Sequence, residues 1–245
     1  MLIGTADLDD LSRRAPQLDG FSTEPLVLEH VDVLQIMYEM PGSCREALLP
    51  PALHPTDPPA VSWLVYRCPA SPWGPFAMAQ TRVECRSGLR LRAFLITAVV
   101  DNATAAAALR DGWGYATRSG RVTLQRRYDA VGALVQVDGA TILDVAVSDP
   151  DPLAADDLQY VANMNLARTP NGLRLLQVEP KCRIQRAERG RPRVVSFDGT
   201  AWGEPRLQPV YPISASLAIA EVTLQRVRFS CRPDVLAFGG TEVVR

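Results

Sequence analysis

Polar and apolar residues alternate along most of this chain with a period of two, broken by short apolar runs, and that pattern predicts strands. Val31–Tyr38 alternates as a half-buried strand does. Ala60–Cys68 and Ala77–Cys85 read as apolar strands on either side of a proline-rich turn, Pro69–Pro75, with Trp73 at its centre. Arg90–Val100 alternates at first and then becomes wholly apolar, so its second half is expected to be buried on both faces. Arg121–Tyr128, Ala133–Val137 and Thr141–Val147 follow as strands, and Asp138-Gly139 marks a hairpin between the last two. Leu173–Ala187 and Val194–Phe197 read as another hairpin turning at Arg189–Pro192, and Leu217–Phe229 as a closing strand.

Helices are expected to be few. Ser43 caps a short one through Leu49, ended by Pro50-Pro51. Asp101-Asn102 cap Ala103–Leu109, which Gly112 stops, and Asp156 caps a third through Met164. Ser148–Asp157 reads as an acidic loop. Residues 1–24 form a polar lead-in and residues 25–245 a single domain, with no repeat and no internal linker. Many strands with three short helices predict a mainly β (α+β) fold, an antiparallel sheet that is closed or nearly so.

Composition narrows the function classes. A net charge of −1 offers no global field for nucleic acid or an anionic membrane. No run reaches the roughly 18 apolar residues of a membrane helix. The first ten residues carry acids where a signal peptide has a basic start, so a cytoplasmic location is expected. Of 26 basic residues only Lys181 is a lysine, an arginine bias that fits GC-rich bacterial coding. The five cysteines form no CxxC, and the two histidines, His30 and His54, have no metal-type spacing, so neither a metal nor any other cofactor is expected.

Several phrases carry a family resemblance. Leu109-Arg-Asp-Gly-Trp-Gly-Tyr-Ala-Thr-Arg-Ser-Gly120 resembles the active-site segment of the acetoacetate decarboxylase family, which reads roughly Arg-Glu-x-x-x-Tyr/Phe-Pro-Lys-Lys-x-Gly. Val33 through Leu53 resembles the family's opening strand, short helix and Leu-Pro-Pro exit. Gly74-Pro-Phe-Ala-Met78 resembles its Gly-Pro-Tyr-x-Glu turn, Val100-Asp-Asn102 its phrase before the helix, and Leu207 through Arg228 its last strand pair. The resemblance spans roughly residues 25–232 and implies a closed antiparallel β-barrel or cone, assembled as a homo-oligomer. It also implies an imine-forming lysine at position 117, where this chain has Thr117 followed by Arg118. Glu39 stands for the family's arginine and Met78 for its glutamate. Threonine cannot form an imine, and arginine stays protonated.

The expected site therefore keeps a cavity and changes its contents. Glu39, Arg118 and Tyr115 are the candidate catalytic groups: a carboxylate among apolar neighbours, a bidentate donor and a phenol. Tyr38, Trp73, Phe76, Met78, Gln80, Trp113 and Thr117 are the candidate binding residues, an adaptable apolar wall with two hydrogen-bonding groups. Each has a plain alternative, core packing for the aromatics and an exposed strand or loop position for Glu39, Arg118 and Gln80. Trp63 reads as core. The partner expected is an apolar, carbonyl-containing small molecule.

Two readings stay open. One is an enzyme without a Schiff base, either a cyclase of the cycloaddition type or a lyase or dehydratase, in natural-product metabolism such as polyketide assembly. The other is a protein that binds or senses a small molecule. A third puts a relocated imine lysine at Lys181, where alternation instead predicts an exposed strand position.

Overall fold

The computed structural model describes residues 2–244. Its strands are β1 (Leu26–Glu39), β2 (His54–Pro55), β3 (Ala60–Cys68), β4 (Phe76–Ser87), β5 (Arg90–Val100), β6 (Thr117–Ser119), β7 (Arg121–Arg126) and β8 (Ala130–Val137). They continue with β9 (Ala140–Leu153), β10 (Asn163–Thr169), β11 (Gly172–Val178), β12 (Pro180–Phe197), β13 (Pro212–Leu224), β14 (Phe229–Cys231) and β15 (Glu242–Val243). The α-helices are α1 (Leu8–Arg14) and α2 (Ala103–Trp113). The mainly β expectation holds.

All strands join one sheet along the path β15-β14-β11-β10-β5-β4-β3-β1-β13-β12-β9-β8-β7, with β2 beside β4 and β6 beside β5. Among the described residues hydrogen bonds do not close this path, so the closed barrel expected from the sequence is not completed. The sheet curls until β7 packs its side chains on β3, β4 and β5. Register shifts in β1, β4–β5, β8–β9 and β12 supply the bending, because an extra residue in one strand increases its local twist.

The curl separates two cores. Inside it, Trp63, Val65, Ala79 and Val83 meet Val122, Leu124, Val131 and Val145. On the other face of the same strands, Leu64, Tyr66, Met78, Leu95 and Ala98 lie under Leu109 and Trp113 of α2 and under Leu176 and Val178 of β11. β3 and β4 are therefore buried on both sides, as the nearly unbroken apolar run of β3 requires and although β4 carries polar residues from Gln80 onward.

Four local expectations change. The helix expected over residues 43–49 is a single 3-10 turn, Gly42–Cys44, and the one expected over 156–164 shrinks to Ala155–Asp157. In the second case strand pairing wins, since β10 begins at Asn163 between β5 and β11. The expected hairpin turn at Arg189–Pro192 is a bulge within β12, where that strand changes its main partner from β13 to β9. The acidic loop at 148–157 is largely strand, because β9 runs on to Leu153.

The hairpin at Asp138-Gly139 forms as expected, both residues having positive φ (51° and 79°). Asn102 caps α2, accepting from Thr104 N and Ala105 N, but the helix runs through Gly112 to Trp113, with Gly114 as its C-cap. Gly114 is left-handed (φ 69°), and a Cβ there would meet Leu176 Cδ1 at 2.8 Å. The lead-in holds α1, capped by Asp7. It is fastened before the helix by Gly4 N to Leu53 O (2.8 Å) and Ala6 N to Leu49 O (3.0 Å), and at the helix's last residue by Arg14 Nη1 to Gly203 O (2.8 Å).

Candidate functional site

Residues paired across neighbouring strands point to the same side of a sheet, so the register decides which candidates meet. One row runs Ser216–Gln35–Leu64–Gln80–Ala98–Thr117 across β13, β1, β3, β4, β5 and β6. Thr117 thus lies in line with Gln80, with Ala98 between them. Its hydroxyl donates to Ala106 O of α2 (3.3 Å), which places it on the face that α2 covers. Phe76, Met78, Trp113 and Tyr115 are buried in the core on this face, and Trp73 packs against it.

Tyr38 and Arg118 do not join them. Tyr38 is in the core inside the curl, where its hydroxyl donates to Pro192 O and accepts from Val194 N (3.2 Å each), pinning β1 to β12. Arg118 pairs with Val99, another residue of that core, and donates to Ala201 O. One residue's difference in strand position sent both to the opposite face. Glu39 ends β1, half-buried, its backbone bonded to Tyr211 O and Val210 N. Trp63 is core, as expected, and Lys181 is exposed on β12 opposite Thr223. This is the exposed strand position that alternation predicts.

The strongest polar feature is one that sequence reasoning missed. Gln80, Arg82 and Glu84 follow one another along β4 on the α2 face, and Arg82 is wholly buried. Its Nε donates to Ser62 Oγ (3.2 Å) and its Nη1 to Asn163 Oδ1 (3.1 Å). Ser62 Oγ in turn donates to Glu84 Oε1 (2.6 Å), and Asn163 Nδ2 to Gln80 Oε1 (2.6 Å). Asn165 Nδ2 donates to Trp113 O (3.0 Å), which ties β10 to the end of α2. Glu84 is the buried carboxylate that was expected at Glu39. The legible signal was the alternation Gln80-x-Arg82-x-Glu84 inside an apolar run. Alternation alone reads as a solvated face, and only α2, β10 and β11 make it an interior one.

This cluster is not saturated. Arg82 Nη2, Asn165 Oδ1, Gln35 Oε1 and the Tyr160 hydroxyl oxygen are buried without a hydrogen-bond partner among the described residues. Leaving such a group unpaired costs about 1–3 kcal/mol, more when it is charged. Arg82 Nη2 is 3.8 Å from Glu84 Oε1, close enough for attraction and too far for a hydrogen bond. Orphaned polar atoms at this density point to a guest that satisfies them.

Burial raises the Glu84 carboxyl above its usual range, against the opposing pull of Arg82 and the Ser62 hydrogen bond. Burial also pushes the Tyr115 hydroxyl well up, with Arg82 and Asn163 opposing, so Tyr115 is a neutral phenol at physiological pH. A carboxyl raised in the folded chain stabilises the fold below its ordinary value of 4.5 and loses that contribution as pH rises through the raised value. Glu188 behaves oppositely: hydrogen bonds from Arg126 and Arg186 hold it down, so its contribution is lost on acidification. Glu84→Gln is therefore expected to flatten the fall in stability above pH 4.5 while leaving the acid limb in place, as read from urea midpoints across pH. An unchanged profile above pH 4.5 would show that Glu84 titrates alike in both states.

A cavity of about 260 Å³ lies between α1 and the edge of β5, lined by Leu11, Ala15, Leu48, Phe94, Leu95 and Leu166, among others. Among the described residues no His, Cys, Asp or Glu cluster is arranged to hold a metal ion, and no helix is long and apolar enough to cross a membrane.

Residues 14–228 match the profile of a family described as acetoacetate decarboxylase. A comparison with curated protein sequences finds no match. Among solved structures, an acetoacetate decarboxylase from Legionella pneumophila superposes with a TM-score of 0.74 at 18% identity, over 85% of this chain and 88% of that one. The enduracididine biosynthesis enzyme MppR, solved with pyruvate, gives 0.69 at 16% identity over 91% and 92%. An acetoacetate decarboxylase-like enzyme from Sphingomonas wittichii gives 0.68 at 16% identity over 84% and 92%. At these identities the structural likeness establishes the fold.

Proposed function

The chain belongs to the acetoacetate decarboxylase family, and from that premise we propose that it is an enzyme acting on a carbonyl-containing small molecule without a Schiff base. Lyase chemistry through an enolate, as in a dehydratase, is what its buried groups serve best, ahead of cycloaddition. The observation that carries the reading is Arg82: a wholly buried guanidinium with a free donor, on the face where the family resemblance places the lysine. The matching position holds Thr117, and the sole lysine is on the surface.

The division of labour follows from the geometry. Arg82 Nη2 donates to the substrate carbonyl oxygen and stabilises the negative charge that develops there as an α-proton leaves. A preorganised donor of this kind, shielded from water, is worth about 3–4 kcal/mol in a transition state. The Glu84 carboxylate accepts the α-proton and, in a dehydration, returns it to the departing hydroxyl, so that water leaves and the carboxylate is restored. Ser62 holds Glu84 in place, and a carboxyl raised by burial is a better match for proton transfer near neutrality. Tyr115 and Asn163 supply neutral hydrogen bonds. Met78, Phe76 and Trp113 exclude water.

The test needs no known substrate. The protein in D2O is expected to exchange α-protons of simple methyl ketones, followed by proton NMR. Arg82→Lys and Glu84→Gln should each lower that rate by about a hundredfold, the range for a lost oxyanion donor or a lost general base. Borohydride added with acetoacetate should leave the protein mass unchanged. A reduced adduct would show that an imine forms after all, and absence of exchange across the ketones would reduce the protein to a binder.

A further inference from the structure

The cavity beneath α1 opens beside a gap in the sheet, and one of its lining residues, Leu95, is the cross-strand partner of the buried Arg82. On its outer edge β5 pairs with β10 only at Ala93 and Phe94, and with β6 only at Ala98 through Val100. Between them, Leu95–Thr97 have no strand neighbour on that side among the described residues. Phe94, Leu95 and Ile96 line the cavity at this gap. Leu95 is also the cross-strand partner of Arg82 and belongs to the core on the Arg82 face. The register shift between Thr81 and Arg82 makes Ile96 the extra residue, so β5 bulges where the gap opens.

The walls tell what the cavity suits. Leu11, Ala15, Leu48, Phe94 and Leu166 are apolar, and the charged rim is largely self-neutralised. Arg206 holds Glu204 by two hydrogen bonds (2.6 and 2.7 Å), and Arg14 lies 3.8 Å from the same carboxylate. The roof is α1, whose residues precede the family match at residue 14 except for the last. None of its residues is buried, although both its ends are fastened to the body. A volume of about 260 Å³ sits at the small end of ligand pockets, which run roughly 300–1,000 Å³.

We propose that this cavity seats the apolar tail of the substrate, whose carbonyl passes Leu95 through the gap in β5 to reach Arg82. The substrate class is then a ketone carrying an unbranched or aromatic tail on the order of ten heavy atoms or fewer, the count that about 30 Å³ per small group allows. Leu95 sets specificity, because its side chain stands between tail and head. This inference rests on the assignment of Arg82 to the carbonyl.

The experiment is equilibrium binding of acetone, 2-butanone, 2-hexanone and 2-octanone, measured by ligand-observed NMR, so that it reports on the cavity whether or not turnover occurs. Affinity is expected to rise about fourfold per added methylene, the usual gain for burying one. Leu11→Trp fills the cavity from its roof and should flatten that rise. Ala47→Phe fills it from the rim and serves as a second variant should the first disturb α1. The slope with chain length is the readout. A flat slope in the unmodified protein, or a full slope in both filled and folded variants, overturns the proposal. Should either occur while α-proton exchange still depends on Arg82, the enzyme reading stands and only the tail site falls. Loss of exchange with the slope intact would mean the reverse.

Discussion

Arg82→Met is expected to cost about 3–5 kcal/mol of stability, because it leaves the buried Glu84 facing no counter-charge. For a chain of this size that is a fall in melting temperature of about 6–20 °C. The side chain removed is long and apolar along its stem, so methionine keeps most of the packing, and the loss reports on charge and hydrogen bonds. Two further outcomes identify the cause. Adding Glu84→Leu should return about 2 kcal/mol, since an ion pair replaced by apolar groups is far less damaging than one broken in half. The cost of the single change should also shrink toward low pH, where Glu84 is protonated and needs no partner. Full recovery is not expected, because Ser62 and Asn163 each lose their donor. Urea denaturation of the three variants at two pH values measures all of this. Strict additivity of the two substitutions would show that Arg82 and Glu84 do not interact.

Trp113→Ala should be comparably severe, at about 3–5 kcal/mol, the usual cost of emptying a buried aromatic site. Trp113 closes α2, and its Nε1 donates to Gln225 O (2.8 Å) beyond the end of β13. Its own carbonyl accepts from Asn165 on β10. Through its indole and its backbone carbonyl the residue therefore joins three separate parts of the chain on the Arg82 face, and only the indole's link is lost on substitution. Trp113→Phe separates packing from hydrogen bonding: it keeps the ring against Gly114's neighbours and removes one N–H, which should cost about 1–2 kcal/mol. Equal losses for Phe and Ala would mean that the hydrogen bond to Gln225 carries the whole effect. The Ala variant should also weaken ketone binding, because Asn165 and Tyr115 flank the tryptophan, whereas the Phe variant should bind normally.

The family's chemistry and this chain's differ at the residues where they would have to agree. Thr117, Met78 and Glu39 stand where the resemblance implies lysine, glutamate and arginine. The first two remain on the face that α2 covers, so the scaffold keeps its orientation. The group proposed to act in place of the amine lies on β4, in a charged pair whose second member, Glu84, has its carboxyl raised by burial. An amine forms a covalent bond and needs only one good position. A guanidinium acts through the field it makes, and needs to be dry and held, which Ser62 and Asn163 accomplish.

The sequence by itself determined what depends on neighbours within a few residues. The strands of the first hundred residues, the Asp138-Gly139 hairpin and the Asn102 cap all follow from local alternation, backbone conformation and side-chain reach. So did the absence of an interior lysine, because a single exposed-looking lysine leaves no other amine to place. The Arg82 cluster, the side taken by Tyr38 and Arg118, and the bulge that reads as a turn at Arg189–Pro192 were decided by tertiary structure. Each depends on which strand lies alongside and in what register. A shift of one residue reverses a side chain's face, and an alternating strand looks the same whether its polar side meets water or is covered by a helix. Only the packing of α2, β10 and β11 turned Gln80, Arg82 and Glu84 from a surface row into a buried one.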